Sequence, residues 1–256
     1  MIYVCIPSHN EAQTVGLLLW KIRQVFAEFP REYQLLVGDD ASTDATREVL
    51  EPYTKVLPLE VIRGSTRLGT ARTVERLLKV ALERTDRPKR DAAVVLHADF
   101  THAVGVLPEL IKKLESGADL VVAEGTLAGD EARSYRWLRR WGSHLLPRTA
   151  RIPGVKDGLS GFLAVRLVCL RGALRASGEQ LLHLDGWPGR AELLARLGRE
   201  ARRTDVVSAP ERIDLRERSS RIDPWMEAKA LWRARATLRD LPPAPRSGER
   251  ADEAAA

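Results

Sequence analysis

Five short apolar runs constrain this chain more than any other feature. They are Ile2–Ile6, Leu35–Val37, Leu59–Ile62, Ala92–Leu96 and Leu120–Ala123. Each ends in polar residues, and helical segments lie between them. Leu17, Leu18, Ile22, Val25 and Phe26 recur at helical spacing, and Thr46 to Leu50, about Ala71 to Leu82, and about Val106 to Glu115 continue the alternation. Strand and helix alternating with short connections predict an α/β fold with a mostly parallel central sheet flanked by helices. Ligands of such sheets bind at the carboxyl ends of the strands. The residues that close each run are therefore the ones to read for chemistry.

The first run closes in Pro7-Ser8-His9-Asn10-Glu11 and the second in Asp39-Asp40, followed by the turn residues Ser42, Thr43 and Asp44. Adjacent carboxylates at a strand end are costly unless something neutralises or hydrogen-bonds them. A sugar hydroxyl, a base N–H or a metal would serve, and so would a plain helix cap. The third run leads into Arg63-Gly64-Ser65-Thr66-Arg67-Leu68-Gly69-Thr70-Ala71. Glycines and arginines ahead of a helix N-terminus suit an anionic phosphate, although no Walker-type Gly-Lys-Ser/Thr is present. The fourth run closes in His97-Ala98-Asp99-Phe100-Thr101-His102. A carboxylate there suits Mg²⁺ or Mn²⁺ bound together with a diphosphate. Zinc fits less well, because His97 and His102 have no evident third nitrogen or sulfur ligand.

Charge narrows the partners. The 256 residues carry a net charge of +6, with a pI near 9.6. Most of the basic side chains are Arg, the residue suited to bidentate phosphate recognition. Phosphate-bearing ligands and anionic lipid both remain open, whereas no nucleic-acid-binding motif is evident. The two cysteines, Cys5 and Cys169, lie in apolar runs and read as core in a reducing compartment. No signal peptide is apparent, and no stretch approaches the ~20 apolar residues of a spanning helix. The expectation is a cytoplasmic protein that meets a membrane, if at all, peripherally on its inner face.

In order and spacing, several pieces resemble the family 2 glycosyltransferases, and among them the polyprenol-phosphate (dolichol-phosphate) mannosyltransferase-like group. The pieces are Ile6-Pro7-Ser8-His9-Asn10-Glu11, Val37-Gly38-Asp39-Asp40-Ala41-Ser42-Thr43-Asp44, Arg67-Leu68-Gly69-Thr70-Ala71, Leu96-His97-Ala98-Asp99, Gly117-Ala118-Asp119-Leu120-Val121 and Asp157-Gly158-Leu159-Ser160-Gly161-Phe162. The resemblance implies a GT-A fold, Rossmann-like, that binds a GDP- or UDP-linked sugar with a divalent cation and transfers the sugar with inversion. By that resemblance Pro7, Asn10 and Glu11 line the nucleotide pocket, and Asp39 or Asp40 meets the base or ribose. Arg67, Gly69 and Ala98 belong to the same donor site. Asp99 is the remaining carboxylate of the family's Asp-x-Asp motif, with His97 standing where its first Asp would be. Both are candidate metal ligands. The His97 departure leaves a second reading open, a non-catalytic nucleotide-sugar-binding homologue.

The second half is expected to hold the acceptor. Asp157 is the first candidate general base for a saccharide hydroxyl, while a polyprenyl phosphate needs no base. Arg216 and Arg221, in Arg-Glu-Arg-Ser-Ser-Arg, loosely match the family segment that closes over the diphosphate. Glu192 reads as the start of an apolar helix, as a cap or a site residue. Trp137 and Trp141 share one face of a basic segment. Trp with Arg is the composition of an interfacial helix, but docking of the stripe into the core is the preferred expectation. The chain thus divides into a glycosyltransferase domain over 1–222 (donor half about 1–125, acceptor half about 126–222), a basic amphipathic helix over 223–241 and a disordered tail over 242–256.

Overall fold

The computed structural model describes residues 1–98, 103–127, 133–178, 180–211 and 223–241. The strands are β1 (Ile2–Ser8), β2 (Tyr33–Asp39), β3 (Leu59–Arg63), β4 (Ala92–Val95), β5 (Leu120–Leu127), β6 (Leu163–Arg166) and β7 (Thr204–Glu211). The helices are α1 (Val15–Glu28), α2 (Thr46–Tyr53), α3 (Thr70–Arg84), α4 (Leu107–Glu115), α5 (Arg133–Leu145), α6 (Leu167–Ser177), α7 (Gly186–Glu200) and α8 (Pro224–Arg239).

The strands form one sheet in the order β3-β2-β1-β4-β6-β5-β7. Pairings among β3, β2, β1 and β4 are parallel, as is β5 with β7, whereas β6 runs antiparallel to both β4 and β5. The mostly parallel sheet flanked by helices agrees with the alternation read from sequence. Two strands, β6 and β7, had no counterpart in that reading. The four residues of β6 run straight into α6, so no turn signal separates strand from helix.

Both faces of the sheet are covered, which is why its central strands are continuous apolar runs. Side chains alternate along β1. Ile2, Val4 and Ile6 join a core with α1 and α4, while Tyr3 and Cys5 join one with α3, α6 and α7. Cys5 and Cys169 are both buried and free. Burial alone pushes the Cys5 thiol far above its ordinary value. A third cluster lies between α5, α7 and α8 and contains Leu138, Leu159, Trp187, Leu231 and Leu238. Truncating a buried Leu such as Leu231 to Ala costs about 2–5 kcal/mol.

Helix α8 starts firmly. Asp223 accepts hydrogen bonds from the Trp225 and Met226 amides, and Pro224 occupies the first turn, where a missing N–H does no harm. The helix packs on α5 and α7. A Cβ on Gly142 of α5 would sit 3.1 Å from Leu159 and 3.2 Å from Leu231, so the two helices approach closely at that glycine.

Two expectations need correction. The aromatic stripe of α5 is not core, because Trp137 and Trp141 are 59% and 44% exposed. Leu138, Arg139, Gly142 and Ser143 are buried instead. The apolar helix containing Glu192 begins earlier, at Gly186, so Glu192 is in its interior and fully buried. Among the described residues no helix is long and apolar enough to cross a membrane.

Candidate active site

The carboxyl ends of β1 and β2 are tied together by their own polar residues. The Nδ1 of His9 lies 2.7 Å from the Asp40 carbonyl oxygen. A carbonyl only accepts, so Nδ1 carries the proton. Asn10 takes a left-handed conformation, φ 53°. Its side-chain oxygen accepts the Thr43 amide at 2.7 Å, and its amide donates to Ser42 Oγ at 2.9 Å. Glu11 donates its amide to Thr46 Oγ1 at 2.8 Å, and its carboxylate accepts the Thr14 hydroxyl at 3.0 Å. Asp44 adds a turn. Burial works against its charge, but hydrogen bonds from Thr46 and the Ala12 amide outweigh burial and leave its carboxyl below the usual range.

The adjacent carboxylates of β2 divide their work. Asp39 accepts the Ser42 amide at 3.1 Å, closing the turn in which Ala41 is left-handed at φ 53°. Asp40 reaches across to the arginine- and glycine-containing loop. Its two oxygens accept the amides of Leu68 at 2.7 Å and Gly69 at 2.9 Å. Such charge-assisted bonds are the stronger kind, and they fix the loop immediately before α3.

The other side of the site is built by carboxylates far apart in sequence. Glu75 on α3 accepts the amides of Leu181 and Leu182 at 2.9 and 3.0 Å. Glu192 on α7 accepts those of His183 and Leu184 at 2.8 and 3.0 Å and is bridged by Arg196 at 2.8 Å. Four consecutive amides thus end on two buried carboxylates. Burial pushes Glu75 upward, but Lys79 and the two amides outweigh it, so its carboxyl lies below the usual range. The segment delivers Asp185, whose carboxylate accepts the Ala71 amide at 2.8 Å in the first turn of α3. From α8, Glu227 accepts the Trp187 amide at 2.7 Å. Burial raises the Glu227 carboxyl, opposed by the Trp187 amide and Arg190 and reinforced by Asp185.

Between these two sides lies a cavity of about 460 Å³. Of the residues singled out from sequence, Pro7, Glu11, Asp40, Arg67, Gly69, His97 and Ala98 line it. Asn10 and Asp39 do not, because their polar groups hold the turn behind it. Asp157 does not line it either. Its carboxylate is held by Arg139 at 2.6 Å, an ion pair with both side chains largely buried, and accepts the Leu159 amide at 3.2 Å. A carboxylate so engaged is poorly disposed to take a proton from a hydroxyl. Asp99, Arg216 and Arg221 lie outside the described residues, as does the tail over 242–256.

Sequence reasoning missed several lining groups. Ser8 lines the cavity, and its buried Oγ has no hydrogen-bond partner among the described residues. Asp185, Arg190 and Glu227 also line the cavity. A strand-end Ser was visible in the sequence. The other three come from segments with no motif of their own, and only long-range packing brings them in.

Among the described residues no group of three or more His, Cys, Asp or Glu side chains is arranged to hold a metal ion. His97, at the end of β4, contributes one imidazole to the cavity. Its Nε2 lies 2.5 Å, and the Nε of Arg190 3.1 Å, from where a Cβ of Gly161 would be, so both side chains converge on that glycine. A cation that takes most of its ligands from a diphosphate uses one or two protein carboxylates, and Asp99 is the carboxylate nearest to His97 in sequence.

This arrangement has relatives. A dolichol-phosphate mannosyltransferase from Pyrococcus furiosus is 30% identical over 174 residues, which are 66% of this chain and 47% of that protein. A bactoprenol glucosyl transferase from Shigella phage SfX is 25% identical over 162 residues, 63% of this chain and 50% of that one. The chain thus spans about half the length of these curated relatives. The structure of glucosyl-3-phosphoglycerate synthase from Mycobacterium tuberculosis, in complex with Mn²⁺ and uridine-diphosphate-glucose, superposes with a TM-score of 0.64. It is 20% identical and covers 97% of this chain and 81% of that one, a likeness of fold. The family model described as Glycosyl transferase family 2 matches residues 3–176. With more than half of its length in that match, the chain belongs to glycosyl transferase family 2.

Proposed function

We propose that this enzyme transfers a sugar from a GDP- or UDP-linked donor to a polyprenyl-phosphate acceptor, with inversion at the anomeric carbon. The observation that carries the reading is the composition of the cavity. Strand-end groups lie on one side, Asp185 and Glu227 on the other, and Arg67 and Arg190 are in the lining. In this reading the donor's nucleoside lies against β1 and the Asp40-held loop. The two arginines offset diphosphate charge as the bond to the sugar breaks. The acceptor phosphate oxygen, already an anion, attacks from the opposite face of the sugar, and the nucleotide diphosphate leaves. A divalent cation, when bound, supplies Lewis-acid stabilisation of that leaving group, and His97 with Asp99 would hold it. The names of the relatives support a lipid-linked acceptor.

One feature favours a second reading, a saccharide acceptor. The burial-raised carboxyl of Glu227 suits a general base toward a hydroxyl.

A panel of GDP- and UDP-sugars, with and without Mn²⁺, tests the donor by thermal stabilisation. A ligand at ~100 times its dissociation constant contributes about 2.7 kcal/mol. One donor should stabilise, and nucleotide release should follow on adding polyprenyl phosphate. If no donor stabilises, or if nucleotide is never released with any acceptor, the reading fails. Glu227→Gln separates the acceptors, because it should slow transfer to a hydroxyl ~10²-fold or more and leave transfer to a phosphate nearly unchanged.

A further inference from the structure

Glu75 carries a charge in the buried interior of a helix. It lies in the second turn of α3 and is 3% exposed. A charge taken out of water is costly unless it is paired and hydrogen-bonded. Lys79 supplies the pair at 2.7 Å, and the amides of Leu181 and Leu182 supply the hydrogen bonds. An apolar side chain would fill the same space without that cost. A group with two acceptor oxygens, however, serves two consecutive buried amides at once.

The same segment meets α3 a second time. Ala71 lies four residues before Glu75, on the same face of the helix. Its amide donates to Asp185 Oδ1 at 2.8 Å. The first amides of a helix have no intrahelical acceptor, and Asp185 satisfies this one. Asp185 Oδ2 packs over Gly69, where a Cβ would lie 2.5 Å from it. Residues 181–185 therefore run alongside α3 and are joined to it at Glu75 and at Ala71, one turn or about 5.4 Å apart. The rung at Glu75 is buried and charged. The rung at Ala71 stands in the cavity wall, which Gly69, Ala71, Leu182 and Asp185 all line.

We infer that Glu75 is a positioning residue of the cavity. By fixing Leu181 and Leu182 it sets where the Asp185 carboxylate meets α3, and so where the backbone of Gly69 to Ala71 stands. Glu75 itself does not line the cavity and acts through the segment it holds. The inference rests on the donor reading for its effect on binding, because the loop it steadies is the one placed against the nucleoside.

The test is Glu75→Gln in the full chain, which keeps the shape and one acceptor oxygen but sets an NH₂ group against the second amide. Residue-resolved hydrogen exchange at neutral pH, well below the melting temperature, should show the Ala71 amide exchanging about tenfold faster than in the parent. Affinity for UDP or GDP, whichever the parent binds, should fall about tenfold as well. Leu114→Ala, a buried truncation on α4 near the starts of β1 and β4, loses stability away from the cavity and should leave both readings at the parent values. A Glu75→Gln protein whose Ala71 amide exchanges at the parent rate overturns the inference, as does an equal acceleration in Leu114→Ala. Faster exchange at Ala71 with unchanged nucleotide affinity also overturns it, since the tie is then structural only. Where Glu75→Gln does not fold, Asp185→Ala breaks the ladder at its other rung, and nucleotide binding like the parent's in that variant counts equally against the inference. A parent that binds neither nucleotide sinks the donor reading, while the exchange result still decides the tie between Glu75 and Ala71.

Discussion

The two sides of the cavity solve the same problem at different range. Each must hold a loop still, and each does so by aiming carboxylates at backbone amides. On the side of the β1 and β2 ends the partners are near in sequence. Asp40 holds Leu68 and Gly69 from 28 and 29 residues away, and Asn10 holds Thr43 from 33. On the side of α7 and α8 Glu75 reaches over 106 and 107 residues to Leu181 and Leu182, and Asp185 over 114 to Ala71. The strand-end side is therefore local architecture, complete once three strands and their loops have formed. The opposite side exists only when α3, α7 and α8 have packed.

That contrast can be broken by substitution. The largest effect should come from Glu192→Ala, which leaves Arg196 and two buried amides without their acceptor. A broken buried pair costs about 3–5 kcal/mol, and denaturant unfolding should show it. Asp40→Ala should cost less, ~2–3 kcal/mol for two amide bonds to a charged group, and should weaken donor binding in the thermal panel. Should Glu192→Ala prove no more costly than Asp40→Ala, the buried Glu192–Arg196 pair is not the stronger of the two ties.

The same difference explains what the sequence revealed. Pro7, Glu11, Asp40, Arg67, Gly69 and His97 stand at the ends of apolar runs, and a run with an abrupt polar end is a signal any α/β chain carries. Asp157, before Gly158, gives no local sign of its ion pair. Nothing local announces that Arg139, eighteen residues earlier on a helix, is buried against it. Glu75 stands in no motif that the sequence offers. Only the tertiary fold shows it buried. The tryptophans of α5 reversed the expected face of that helix, because Gly142 and Ser143 pack inward and leave Trp137 and Trp141 outside.

Two carboxylates on the α7–α8 side of the cavity should respond to pH with opposite sign. Glu75 has a lowered folded pKa, so its contribution is present above the ordinary Glu range and is lost as pH falls through the folded value. Glu227 has a raised one, so the folded state takes up its proton first, and stability declines as pH rises from the ordinary Glu range to the folded value. Relative to the parent, Glu75→Gln should be most destabilising at neutral pH and nearly harmless in acid. Glu227→Gln should be better tolerated at neutral pH than in acid. Urea midpoints across pH 3–8 check both, and parallel behaviour of the two variants would undo the assignment. The smallest effect belongs to Trp137→Ala, within about 0.5 kcal/mol of the parent, as befits an exposed residue.

Gly69 has a consequence for how such enzymes diversify. It is left-handed at φ +92°, and a Cβ on it would lie 2.5 Å from an Asp185 carboxylate oxygen. The loop before α3 and the segment before α7 are thus in contact through a position that admits no side chain. Neither module can be transplanted into a relative, lengthened or shortened by itself. Any recombination that exchanges one of them must carry residues 64–71 and 181–187 across together, as one inherited unit.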